Sequence, residues 1–151
     1  MEKVLRYSPL ILRLQRLFIS SKIEKLMAWH QDNKSSYGHI RHPTDSDEWN
    51  IFNENHALFA KEAWNVRLGL TSDGFNPFKS MYPSYSIWSV VMVTYNLPPW
   101  LCMRSSFMML TLLIPGPKQP RNATDVYLQP LIDELKVLWY SGVQTYDAHK
   151  K

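Results

Sequence analysis

The 151-residue chain has a single cysteine, Cys102, only five glycines, and no apolar run of membrane-spanning length. A lone thiol excludes an internal disulfide framework and any zinc site built on two or more thiolates, and it suits a reducing compartment. The longest apolar stretch, Phe107–Ile114, is broken by Thr111 and falls far short of the roughly 20 residues that cross a bilayer. No secretory signal is legible, because Arg13 and Arg16 interrupt the apolar segment that one would need. Without such a signal the acceptor pattern Asn122-Ala123-Thr124 reads as accidental. What is plentiful is apolar and aromatic side chain, at 45% and 13% of residues, which excludes a disordered chain and provides for one folded domain of ordinary size.

The net charge of +4 is not spread along the chain. Residues 1–34 carry seven Lys/Arg against three acids, and the rest of the chain carries ten of each sign. A local basic face at the N-terminus is therefore expected, and not a globally basic protein. Leu10, Leu14, Leu17 and Phe18 fall at helical spacing and leave Arg13 and Arg16 on another face. Ser21-Lys22-Ile23-Glu24 has the form of a capping box, and Ile23, Leu26 and Met27 continue a second helical stripe toward Trp29-His30. A helix-turn-helix reader can be drawn here, but ordinary amphipathic helices with solvated surface cations are the favoured reading of Arg13, Arg16, Lys22 and Lys25.

Residues 31–46 read as a polar loop with a solvated His39/His42 pair that lacks a third metal ligand. Asp45, with Glu48 three residues on, resembles a cap for a helix bearing Trp49, Phe52, His56 and Phe59. Val66, Leu68 and Leu70 alternate as a strand that runs into Ser72-Asp73-Gly74, a turn signal. Ile87–Tyr95 and Phe107–Ile114 read as two more strands, closed by Asn96-Leu97-Pro98-Pro99 and Pro115-Gly116-Pro117. A helix capped by Thr124 or Asp125 follows, with a wide apolar face from Val126 to Trp139, a kink or later start at Pro130, and an end at Gly142. Asp133 and Glu134 read as solvated carboxylates on it, and Val143–Tyr146 as the beginning of a further strand.

The expected class is α+β: N-terminal helices over residues 1–64, then over residues 65–151 a three-stranded antiparallel meander with a crossover helix. That order is the first half of a ribonuclease-H-like domain, although periodicity alone does not separate it from a generic α+β domain. Asp73 matters because two-metal phosphoryl transfer uses carboxylates converging from strand ends. Local sequence by itself favours an ordinary Asp-Gly turn.

Several long segments carry a resemblance. They are Pro9–Leu17, Leu26–His30, Asn65–Phe78, Tyr95–Met103, Leu113–Lys118 and Asp125–Leu131. Together they resemble the CACTA (En/Spm-type) plant DNA transposases over nearly the whole chain. The resemblance implies a ribonuclease-H-like DDE/D core, cutting and joining of transposon-end DNA with Mg²⁺ or Mn²⁺, and action in the nucleus. On that basis Asp73 matches the first catalytic, metal-binding aspartate, and Gly74, Phe75, Asn76 and Pro77 shape the turn that carries it. The match departs from the family in two places. The paired-cysteine segment that family members carry upstream of Leu10 is missing, and Asp147 does not stand where the second acid is expected. The expectation is an incomplete half-domain, catalytically inactive alone and binding no metal stably, with self-association through an exposed sheet edge. The alternative is a repurposed nuclear DNA- or protein-binding module that uses Arg13, Arg16, Lys22 and Lys25.

Overall fold

A computed structural model of the chain describes residues 4–33, 38–78, 85–117, 120, 123–146 and 148. Its elements are β1 (Arg6–Tyr7), α1 (Ile11–Ile19), α2 (Ser21–Met27), α3 (Trp29–Asp32), a 3-10 turn (Pro43–Asp45), α4 (Asp47–Asn55) and α5 (Ala57–Ala60). They continue with β2 (Leu68–Phe75), β3 (Ile87–Thr94), α6 (Pro99–Cys102), β4 (Met109–Ile114) and α7 (Thr124–Tyr140). The chain is α+β, and it gathers into two compact units, each assembled from separate stretches.

The first unit combines Met1–Arg16, Leu70–Met92 and Met109–Thr145. It contains the sheet, whose strand order is β1-β4-β3-β2, so the expected meander of three strands is present in sequence order. A fourth strand, β1, was not legible: Arg6 and Tyr7 pair antiparallel with Leu113 and Leu112 along the outer edge of β4. Two residues are too short for a periodic signal, and only the neighbouring edge defines them as a strand. β3 and β4 are antiparallel, with a register shift between Val90 and Val91. The shift leaves room for Thr111, whose buried hydroxyl donates to the Val90 carbonyl at 3.0 Å. The polar interruption of the apolar run is thus a satisfied bulge residue. Val90, Leu112 and Ile114 are buried on the sheet, and Leu131 of α7 is fully buried.

α7 corrects four expectations. It runs through Pro130 as one helix and starts at Thr124 without a side-chain cap. Its apolar face is narrower than the sequence suggested, with Val126 73% and Trp139 50% exposed. Glu134 is not a solvated carboxylate. It accepts hydrogen bonds from the backbone N–H of Leu10 (2.8 Å) and of Ile11 (2.8 Å), and from the Tyr7 hydroxyl. These are the unpaired donors at the start of α1, so α7 supplies the cap that the local sequence Ser8-Pro9 does not. Gly142 ends the helix region as expected, at φ 66°, a conformation that favours glycine. Val143–Tyr146 forms no strand; Gln144 instead offers its carbonyl to the Gln15 side chain.

The second unit combines Leu17–Gly69, Val93–Met108 and Tyr146–Lys151. Met27, Trp49, Ala63, Leu97 and Cys102 are buried in it. The predicted capping box does not form: the N-cap of α2 is Ser20, without a side-chain bond, and Glu24 is 3% exposed. The cap of α4 is Ser46, whose hydroxyl oxygen accepts from the Trp49 N–H, while Asp45 pairs with Arg41 at 3.1 Å. Part of the expected loop is the ordered 3-10 turn, and the two histidines part company there. His39 is exposed, but His42 is buried and accepts from the Thr44 N–H through Nδ1. Its ring stacks edge-on against Trp29 and Tyr95, so aromatic packing takes it out of solvent.

Candidate functional site

Asp73 sits inside β2, which continues to Phe75, so Ser72-Asp73-Gly74 is strand and not turn. The turn begins only at Asn76, whose side-chain oxygen accepts from the Phe78 N–H at 2.9 Å. Strand pairing overrides the local Asp-Gly preference because β2 is hydrogen-bonded to β3 in the sheet. Asp73 is exposed. Its Oδ1 accepts the N–H of Gly74 at 2.7 Å, and its carbonyl accepts the Ser89 hydroxyl of β3 at 3.3 Å. Gly74 is required by a close approach: a Cβ there would stand 2.7 Å from Cε2 of the Trp88 indole. Side chains alternate across a strand, so Trp88 occupies the Gly74 face and Asp73 projects from the opposite one.

A divalent ion needs several oxygen ligands in a defined arrangement. Among the described residues no three His, Cys, Asp or Glu side chains come together, so Asp73 and its surroundings do not fit a two-metal site. Asp147 and Asn122 lie outside the described residues.

The second unit holds the start of β2 through a residue that sequence reading treated only as a strand stop. The Asn96 side chain is fully buried. Its Oδ1 accepts the Arg67 N–H at 2.7 Å, and its Nδ2 donates to the carbonyls of Ala63 (3.1 Å) and Asn65 (3.0 Å). The Arg67 carbonyl in turn accepts the Tyr95 N–H at 2.9 Å. The Arg67 guanidinium points inward, between the rings of Trp49 (4.7 Å) and Phe59 (5.2 Å), and donates to Asn53 at 2.9 Å. It also meets Nε2 of His30 at 3.3 Å. Because guanidinium nitrogens only donate, His30 must accept, and its ring is neutral.

Burial, with the Arg67 charge second, pushes the His30 pKa down to about 4. A base whose pKa falls on folding contributes stability that is complete above its unfolded value, about 6.5, and is lost as pH falls toward the folded value. Urea midpoints are therefore expected to drop between about pH 6.5 and pH 4, and His30→Gln, which keeps an acceptor, is expected to flatten that drop. An unchanged profile in the variant would assign the pH dependence to other groups.

The four candidate DNA-contacting cations are not equivalent. Arg16, Lys22 and Lys25 are exposed. Arg13 is half-buried, and its guanidinium donates to the carbonyls of Ser8 (2.8 Å) and Pro9 (3.1 Å), so part of its hydrogen-bonding capacity goes to its own helix start. Among the described residues no helix is long and apolar enough to cross a membrane.

Sequence reading missed Glu134, Asn96, Arg67 and Ser89. The available signal was the pairing of buried-polar residue types with strand ends, as in Tyr95-Asn96. A family model described as transposase family tnp2 matches residues 37–151. No curated protein and no solved structure matches the chain.

Proposed function

The chain belongs to the transposase family tnp2, and from that premise we propose that it is part of a CACTA (En/Spm-type) DNA transposase in which Asp73 is the first acid of a DDE/D set. One observation carries the reading. Asp73 is exposed near the end of β2, the first of three consecutive antiparallel strands, and those strands are followed by α7. This is the order of the first half of a ribonuclease-H-like core. The substrate on this reading is transposon-end DNA, the site of action is the nucleus, and the metal in the family's chemistry is Mg²⁺ or Mn²⁺.

These 151 residues match the first acid of the set alone, and one carboxylate cannot fix two ions. By itself the chain is expected to neither cut nor join DNA with either metal. Metal-dependent nicking of a plasmid that vanishes in Asp73→Asn would overturn this. The role of Asp73 is tested without activity: Mn²⁺ at millimolar concentration is expected to broaden the amide signals of Asp73 and Gly74, and not in Asp73→Asn. Equal broadening in both proteins would remove Asp73 from the metal-ligand role.

β2 is one of the two outer strands of the sheet, with Leu70 and Phe75 about half exposed, and on this reading its edge is where a further strand or a second copy would pair. A second reading, a nuclear DNA- or protein-binding module, draws on the exposure of Arg16, Lys22 and Lys25. Three cations neutralising about three phosphates limit the log–log salt slope on duplex DNA to roughly −2.7. Absence of binding at low salt would dismiss the DNA form of this second reading.

A further inference from the structure

We propose that Trp100 is a stacking platform for one unpaired nucleobase, with the neighbouring Arg104 meeting its phosphate. The proposal rests on the reading that the chain acts on DNA. Trp100 is the second residue of the short helix α6 and is 57% exposed, although an indole carries a large apolar surface.

The indole is not loosely placed. Its helix is anchored on both sides by buried Leu97 and Cys102, and the Cys102 N–H bonds to the Pro98 carbonyl at 3.0 Å. Trp100 meets Trp29 at 5.7 Å and 82°, Trp29 meets His42 at 5.5 Å and 81°, and His42 meets Tyr95 at 6.1 Å and 87°. The exposed ring is thus the outer end of a chain of four edge-on rings that passes through a buried histidine. A T-shaped contact joins the edge of one ring to the face of the other, so at least one face of Trp100 remains free. Holding that face in place before binding reduces the ordering cost that a flexible surface side chain would pay.

The surroundings favour a base over a protein. On this segment the exposed apolar side chains are Trp100 and Met103, which is 64% exposed, and exposed Arg104, Ser105 and Ser106 follow directly. Two such side chains fall well short of the roughly 800 Å² per partner of a stable protein interface. One exposed ring face, with an exposed cation four residues on, matches a single nucleotide, whose base stacks and whose phosphate pairs. Bases in an intact duplex already stack on each other, so the platform serves single-stranded or distorted DNA.

The test is fluorescence anisotropy of the full chain with a labelled 12-nucleotide oligo-dT and a labelled 12-base-pair duplex at low salt. Trp100→Ala is expected to weaken oligo-dT binding by about 5- to 150-fold while leaving duplex binding unchanged, at temperatures well below a melting transition lowered by the loss of the Trp29 contact. Trp100→Phe, which keeps a stacking face, is expected to retain most of the affinity and keeps the result interpretable if the alanine variant folds poorly. Native-like oligo-dT binding by Trp100→Ala, an equal loss on duplex, or a change of oligomeric state in that variant would each overturn the proposal. If the native chain binds the duplex but not oligo-dT, stacking fails while the DNA reading stands. If it binds neither, the DNA reading fails and the platform with it.

Discussion

Asn96→Ala is expected to cost about 3–5 kcal/mol, because it strips partners from three buried or half-buried backbone groups at about 1–3 kcal/mol each. Those groups are the Arg67 N–H and the carbonyls of Ala63 and Asn65. At about 2–4 °C per kcal/mol for a chain of this size, the melting temperature is expected to fall by roughly 6–20 °C. Asn96→Asp is expected to do no better, since it turns a second carboxylate oxygen toward two carbonyls that need a donor. Asn55→Ala, at an exposed position, is the control and is expected to stay within about 0.5 kcal/mol of the native chain. A loss below about 1 kcal/mol for Asn96→Ala, read from urea unfolding, would mean that water replaces the staple.

The second large effect concerns Glu134. Burial pulls its pKa up, but the Tyr7 hydroxyl and the Ile11 and Leu10 amides outweigh burial and hold the carboxyl below its usual value. The Tyr7 hydroxyl shifts the opposite way, raised by burial and then by Glu134, as expected for the donor in that pair. Glu134→Ala removes the cap of α1 and leaves Tyr7 without its partner. Charge-assisted bonds at about 1.5–3 kcal/mol, of which the exposed side of the pair recovers part in water, put the loss near 2–4 kcal/mol. A carboxyl whose pKa falls on folding contributes stability that is present above its unfolded value, about 4.3, and is lost as pH falls through the folded value. The native chain is therefore expected to lose this contribution only below about pH 4.3, which separates it from the His30 window between about 6.5 and 4. Glu134→Ala is expected to lower the urea midpoint at pH 7 and to reduce the loss of stability below pH 4. A variant with the native midpoint at pH 7 would show that β1 and α1 hold without the carboxylate.

How much was legible in the sequence depends on the range over which each feature is determined. Helix α1, strands β3 and β4, helix α7 and the stop at Gly142 all follow from short-range periodicity and backbone preference, and they appear within a residue or two of where the pattern puts them. So does the succession of three strands and a helix. Two of the features that failed most clearly have partners far away along the chain. Glu134 looks like any solvated helix carboxylate until Leu10 and Ile11, more than 120 residues earlier, bring it their unpaired amides. Asn96 looks like a turn residue until Arg67 lies against it.

The same reason explains why β1 was invisible and why Asp73 was misjudged as a turn. Two residues become a strand only when an edge is offered, and an Asp-Gly step stays extended only when β3 pairs along it. What the sequence by itself determined is the α+β class and the order of the meander and its helix, because local pattern is written contiguously; Asp73 became a candidate through the family resemblance and not through its local pattern. Tertiary structure alone decided which polar groups are interior, which helix end Glu134 caps, and that Trp100 stands exposed at the end of an aromatic chain. Those properties are set by contacts between distant segments, and the free energy of a buried polar group or a packed ring depends on what surrounds it, not on its neighbours in sequence.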